Sequence, residues 1–205
     1  LLWDLGLHVG HSVRTLAACL DEAAKDVTIR TNMLEARCLA GSRALFRRFR
    51  SGYDAAMDAA AFLDAKRLEQ QHRHGRFADR ALLLEPHLKD SPGGLRDVQT
   101  VTWVFRAAGL PASFKAMVGL GILRKDEASR LQRHLNLIER LRIDLHLVAN
   151  RREDRLLFEF QERLAAELGM RAKGARRASE LLMQQYFLAV RELSLANEYL
   201  IGCLR

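Results

Sequence analysis

Two of the chain's three prolines and a Gly-Gly pair fall within thirteen consecutive residues, Glu85-Pro86-His87-Leu88-Lys89-Asp90-Ser91-Pro92-Gly93-Gly94-Leu95-Arg96-Asp97. Proline and glycine are the residues that most readily interrupt helices, and elsewhere they are thinly spread among Arg, Leu and Ala. The chain is therefore constrained to helix on either side of one tight turn. Six ionisable side chains crowd that turn: Glu85, His87, Lys89, Asp90, Arg96 and Asp97. Charged groups fixed by a rigid scaffold are where binding chemistry tends to sit. The alternative is a helix-capping turn, with Ser91 or Asp90 as the cap and Arg96 and Asp97 solvated. Composition by itself favours that alternative.

The chain has 205 residues, enough for one large domain or two small ones, and is 49% hydrophobic and 28% charged, as expected of a soluble globular protein. No run approaches the roughly 20 apolar residues of a membrane span, so no membrane association is expected. The start, Leu1-Leu2-Trp3-Asp4-Leu5, has neither charged leader nor initiator Met and does not read as a signal peptide. Both ends read as interrupted helix, which suggests a piece of a longer polypeptide. Cys19, Cys38 and Cys203 are far apart and odd in number, giving no zinc or disulfide pattern and a cytoplasmic expectation. A net charge of +8 suggests an anionic partner: nucleotide phosphates, an acidic protein or nucleic acid. Nucleic acid ranks last, because no aromatic residues interleave with the basic ones. The dense cluster Arg171 to Arg177 reads as a solvated interhelical loop.

From Leu5 to Thr15, Leu7, Val9, His11 and Val13 alternate with His8, Gly10, Ser12 and Arg14, a period of two that suggests a strand. Helices follow. Thr15 is positioned to cap one through Ala24, and Asp26 or Thr28 to start another towards Ala40. Ser42 restarts a helix through Phe49, Ser51-Gly52 breaks it, and a long stretch runs from Tyr53 to about Phe77. Ala81 to Leu84 is a short strand or extended lead-in. Asp97 opens a helix carrying Val98, Val101 and Phe105, closed by Gly109 and Pro111. Leu131, Leu135, Ile138, Leu141, Leu145 and Val148 form the apolar face of a long helix. Another spans about Asp154 to Leu168. The last starts near Ala178 with Leu182, Tyr186, Ala189, Leu193, Ala196 and Leu200 on one stripe.

A Walker motif, a G-x-G-x-x-G fingerprint, a D-x-D pair and a His-Asp dipeptide are all absent. His72 and His74 fall on nearly opposite sides of a helix, and His134 and His146 lie off the apolar stripe, where exposure outweighs catalysis. Two groups carry chemistry. In Gly10-His11-Ser12-Val13-Arg14-Thr15 the glycine permits close backbone approach and Arg14 offers a planar fork of donors. In the proline-glycine turn, Lys89 and Arg96 suit phosphate oxygens, and Gly93-Gly94 could turn backbone N–H groups to the same anion.

These segments, in order, resemble the family of bacterial bifunctional uridylyltransferase/uridylyl-removing enzymes that act on the PII nitrogen-signalling protein. The resemblance rests on Trp3 to Thr15, on Asp26-Val27-Thr28 with Thr31, Glu35, Arg37 and Gly41, and on His72-Arg73-His74-Gly75. It continues through Glu85 to Asp97, Leu145-His146, and Asp154-Arg155-Leu156-Leu157-Phe158 with Gln161. It covers nearly the whole chain. His87 departs from it, since the family more often has Asn there.

The resemblance implies a mainly α chain: a helical bundle following a short α/β remnant of a polymerase-β-like nucleotidyltransferase domain. Residues 1–50 would be the end of that domain and 51–205 the associated helical domain. It implies transfer of UMP from UTP to a tyrosine of PII, with Mg2+ held by paired aspartates upstream of Leu1, so that this piece alone is inactive. Ser12, Arg14, Lys89, Gly93, Gly94 and Arg96 become nucleotide-binding candidates at the cleft. Asp26, Glu35 and Asp97 become candidates for an accessory carboxylate. The competing expectation is a non-catalytic helical domain that docks PII or braces its neighbours, with Arg96 and Asp97 pairing across the domains.

Overall fold

The computed structural model describes residue 4 and residues 9–78 and 82–204, and among these it is helical with no sheet. The chain divides into two compact units, Leu1–Asp58 and Ala59–Arg205.

In the first unit, α1 (Leu16–Lys25), α2 (Val27–Leu34) and α3 (Arg43–Ala55) start at the polar caps expected of them. The Thr15 hydroxyl accepts from Ala18 N at 3.2 Å, the Asp26 carboxylate from Thr28 N at 2.6 Å, and the Ser42 hydroxyl from Leu45 N at 3.2 Å. Each cap satisfies an amide that the first helical turn leaves orphaned. Two boundaries differ from the expected ones. The second helix stops at Leu34 rather than near Ala40, and Ser51-Gly52 lies inside α3 instead of breaking it. Packing explains the latter: Gly52 leaves room for the Leu20 side chain, 3.4 Å from where a Cβ would stand.

The alternating stretch is not a strand over its described part. Residues 9–15 carry no regular structure, and Val13 is fully exposed. Alternation alone supplies no partner strand for the backbone groups of such a stretch. Residues 5–8 lie outside the described residues, as does Ala81 of the expected lead-in before Glu85; Leu82 to Leu84 form no strand either.

The second unit contains α4 (Ala59–Gly75), α5 (Leu95–Ala107), α6 (Phe114–Gly119), α7 (Lys125–Ala149), α8 (Phe158–Glu167) and α9 (Ala178–Gly202). Helix α9 is central, packing on α5, α7 and α8, while α4 lies on α5 and α6 on α7. The two apolar stripes read from the sequence meet here: Leu182, Tyr186, Ala189, Leu193 and Leu200 are buried with Leu131, Ile138, Leu141 and Leu145. Helix α6, too short for a periodic signal, was not anticipated. The cysteines are free, and no described helix is long and apolar enough to cross a membrane.

Within the first unit Tyr53 is 2% exposed, and its hydroxyl donates to Arg30 O at 2.7 Å. Burial pushes this phenol from its ordinary value of 10.0 up to about 12, against the opposing charges of Arg30 and Arg50. Because the folded state favours the neutral phenol, its contribution is complete below pH 10.0 and is lost as pH rises towards 12. Denaturant titrations at rising pH should show the first unit losing about 2 kcal/mol across that window. Tyr53→Phe should abolish that part of the pH dependence.

Candidate functional site

The turn at 85–97 is a built structure tied to four helices. Its entry pairs with the segment before α8: Leu88 N donates to Asp154 O and Leu156 N to Pro86 O, both at 2.8 Å, around an antiparallel bridge between His87 and Arg155. Gln161 holds the approach by donating to Leu84 O at 2.8 Å and Leu156 O at 3.1 Å. Within the turn, Ser91 Oγ donates to His87 O at 2.7 Å, and Asp90 N donates to His87 Nδ1 at 3.0 Å. Leu95 N donates to Leu88 O at 3.1 Å and Arg96 N to Lys89 O at 2.8 Å. The first amides of α5 are thus consumed by the turn's own carbonyls, so Gly94 needs no side-chain cap.

Asp97 is at the centre, at 0% exposure. One carboxylate oxygen accepts from Arg73 Nη2 at 2.6 Å, and both lie within 3.1 Å of His74 Nε2. The other accepts from Gly93 N at 2.7 Å. Arg73 also reaches the turn directly, donating through Nη1 to Asp90 O at 2.9 Å. Helix α9 joins through Asn197, which donates to Asp97 O at 2.9 Å and accepts from Gln70 of α4 at 2.6 Å.

Gly93 has φ +75°, and a Cβ there would stand 2.3 Å from Val190 O. A Cβ on Gly94 would meet the carbonyl oxygens of Leu88, Lys89 and Ser91 at 2.8–2.9 Å. Both positions require glycine, the first for its backbone conformation and close approach, the second for approach alone.

The cationic side chains lie around this frame. Lys66, 2% exposed, pairs with Glu69 at 2.6 Å, and its ammonium sits 4.4 Å from the Trp103 ring centroid. Arg96 covers the same ring at 5.3 Å, and its nearest carboxylate, Asp90, is 3.8 Å away. The Lys89 ammonium makes no hydrogen bond or salt bridge among the described residues. Burial pushes its ammonium down, and the charges of Arg96 and Arg142 add to that against Asp90 and Asp154. Arg142 itself is held by Asp154 at 2.6 Å, together with His146 at 3.1 Å. Burial pushes the Asp154 carboxyl up, but these two partners outweigh it and keep it below 3.8.

A model of the GlnD PII-uridylyltransferase family matches residues 61–201, which contain this entire arrangement. The chain belongs to that family. It is 51% identical over 200 residues to a bifunctional uridylyltransferase/uridylyl-removing enzyme of Bordetella avium, covering 98% of this chain and 23% of that one. To the enzyme of the same description from Thiobacillus denitrificans it is 50% identical over 203 residues, 99% of this chain and 24% of the relative. The chain thus spans about a quarter of the length of the curated relatives it matches. No solved structure matches it.

Against this family background, the candidates read from the sequence separate into groups. Lys89, Gly93, Gly94, Arg96 and Asp97 come together in the second unit. Ser12 and Arg14 are exposed in the first unit. Asp26 caps α2, its carboxyl held low by the Ile29 and Thr28 amides, and Glu35 ends the same helix. The Gly93 and Gly94 amides are not available to an anion: one donates to Asp97, the other to Ser91 O at 2.9 Å. Both oxygens of Asp97 are engaged, by Arg73, His74 and the Gly93 amide. Among the described residues no group of three His, Cys, Asp or Glu side chains is placed to hold a metal ion. Asp97 is buried rather than solvated, and Arg96 is half-buried against Trp103. Asp97 pairs with Arg73 inside the second unit, so the brace it makes joins α4, α5 and α9. His134 and His146 are half-buried rather than exposed, and His146 binds Asp154.

The residues that sequence reasoning missed as partners are Arg73, His74, Gln70, Asn197 and the Lys66–Trp103 pair. His72-Arg73-His74 carries part of the family resemblance and has no metal spacing, but nothing local in it points to Asp97. Its proximity to Asp97 depends on how α4 packs on α5.

Removing one member of a buried ion pair strands its partner. Asp97→Ala should cost about 3–5 kcal/mol in urea unfolding. Gly93→Ala should cost at least about 2 kcal/mol through overpacking and strain. Gly75→Ala, whose Cβ would meet nothing within 4 Å, should leave the midpoint nearly unchanged.

Proposed function

We propose that this chain is part of an enzyme that transfers UMP from UTP to a tyrosine of a PII protein, its second unit supplying cationic side chains to the nucleotide. The observation that carries this reading is the pairing of Lys89 and Arg96 through one backbone hydrogen bond, on a turn locked by Asp97, inside the family-matched residues. Both cations are left without a hydrogen-bonded carboxylate while neighbouring cations are paired, which suits them to phosphate oxygens. The names of the relatives supply the chemistry: uridylyl transfer, with uridylyl removal as a second activity of the intact proteins.

The Gly-rich loop and paired aspartates implied by the resemblance are not among these 205 residues. Mg2+, implied for the intact enzyme, finds no ligand set among the described residues, and the steps assigned to this chain are binding and positioning. Catalysis then needs the remaining three quarters of the protein, and the chain alone transfers no UMP. Ser12 and Arg14 are the first unit's own candidates for nucleotide contact.

The second reading, a helical domain that docks PII or braces its neighbours, is favoured at one position. Asp97 spends its charge on Arg73, His74 and Gly93, so its own part is bracing.

In a full-length relative, replacing the residue matched to Arg96 by Gln should lower UMP transfer at least about tenfold, with unchanged thermal stability. Retained activity would remove Arg96 from the site. Calorimetry with the isolated chain separates the second reading, which requires PII binding that is indifferent to UTP.

A further inference from the structure

The segment joining α8 to α9 carries a dense run of cations. Arg171, Lys173, Arg176 and Arg177 fall within a few residues of one another, and no Asp or Glu stands between Glu167 and Glu180. The sequence alone reads this stretch as a solvated loop. The structure folds it into a tight hairpin instead. Lys173 N donates to Arg176 O at 3.1 Å and Arg176 N to Lys173 O at 3.2 Å, an antiparallel bridge around Gly174-Ala175. Gly174, the first of the two central residues, has φ +62°, a conformation that suits glycine in a two-residue hairpin turn.

Residues that exchange both backbone hydrogen bonds across an antiparallel pair put their side chains on one face, with Cβ atoms about 5 Å apart. Here both side chains are cations, and like charges directly opposite destabilise such a pair. No carboxylate relieves them: Arg171, Lys173, Arg176 and Arg177 are exposed and make no ion pair among the described residues. Arg176 Nη1 donates to the neutral Gln184 Oε1 at 3.4 Å. The Glu180 carboxylate accepts from Arg177 N at 3.2 Å and is thereby engaged in capping α9.

Internal packing gives no account of two facing cations held by a fixed backbone. Their charge is uncompensated and preorganised, which favours an anionic partner at little ordering cost. Between Phe160 and Tyr186 the sequence has no aromatic residue, so the run offers nucleic-acid bases nothing to stack on. Carboxylates of a polypeptide fit the charge without needing such a surface. The hairpin also stands apart from the turn at 85–97. That turn meets α9 at Val190, about 20 Å along the helix from Arg177 at the rise of an α-helix.

We infer that the Lys173–Arg176 hairpin is a docking element for an acidic polypeptide segment, with Arg171 and Arg177 at its margins. The inference uses no residue of the turn at 85–97 and does not depend on which of the two readings above holds.

Fluorescence anisotropy of a labelled oligoglutamate peptide, titrated with the full 205-residue chain at about 150 mM salt, should show saturable binding. Reversing both charges, Lys173→Glu with Arg176→Glu, should weaken it about tenfold or more, because like charges then face each other across the contact. Arg43→Glu with Arg47→Glu makes the same change in net charge at exposed positions of the first unit, and should alter binding less than about twofold. Gly174→Val keeps every charge but disfavours the turn, and should weaken binding at least about threefold. Circular dichroism checks that each variant folds, and the charge-reversed pairs test the docking even where the Gly174 variant fails to fold. Single-stranded RNA of the same length should bind more weakly than the peptide; tighter binding would overturn the polypeptide assignment. No saturable binding, or equal losses from the two charge-reversed pairs, would overturn the docking element. Full binding by a folded Gly174 variant would overturn the preorganisation on which it rests.

Discussion

A carboxylate with no exposed surface has to be justified by its partners, and much of the second unit's arrangement follows from how Asp97 is justified. Burying that charge costs several kcal/mol unless it is paired and its lone pairs are filled. Arg73, His74 and the Gly93 amide do this from three directions. The consequences spread outwards. Arg73 must lie at the contact of α4 with α5, and from there its second nitrogen reaches Asp90 O. The Gly93 amide must face α5, which brings its Cα against Val190 of α9 and excludes any side chain. Asn197 then connects α9 to Asp97 O and, through Gln70, back to α4. One buried charge thus specifies the mutual placement of three helices and the turn between two of them.

That economy explains the division of roles within the turn. Asp97 and the two glycines are engaged in holding the turn together, whereas the Lys89 and Arg96 side chains make no hydrogen bond to a carboxylate among the described residues. A glycine-rich turn before a helix invites an anion site made of backbone amides. Here that option is closed, because the amides of Gly93, Gly94, Leu95 and Arg96 already have acceptors inside the turn. An anion at this turn would therefore have to be held by side chains rather than by these amides.

The helices were legible where their signals are local. Thr15, Asp26 and Ser42 cap as their hydroxyls and carboxylate suggest, and the Leu131–Val148 and Leu182–Leu200 stripes bury as their spacing requires. The failures have a common cause. The alternation at Leu5 to Thr15 has a strand's period, but a strand is defined by its partner, and sequence period carries no information about one. Ser51-Gly52 looks like a break until Leu20 is seen packing against it. The turn was legible as special, yet the role of Asp97 was not. Its partners lie 24 residues away at Arg73, 23 at His74 and, through Asn197, 100. No local pattern marks a carboxylate as buried.

The family match and the physical unit coincide in a way that bears on what the unit is. The match runs from residue 61 to 201, and the compact unit begins at Ala59. Lys66, Arg73, His74, Asp97, Trp103, Val190 and Asn197 all fall inside both. The network's members are spread over much of the sequence, yet the partners of the buried Asp97 carboxylate all lie within this one unit. The contacts that place Asp97 are thus internal to the unit the family model matches. Lys89 and Arg96 are the part of this arrangement that folding does not use up, since neither neutralises a buried carboxylate.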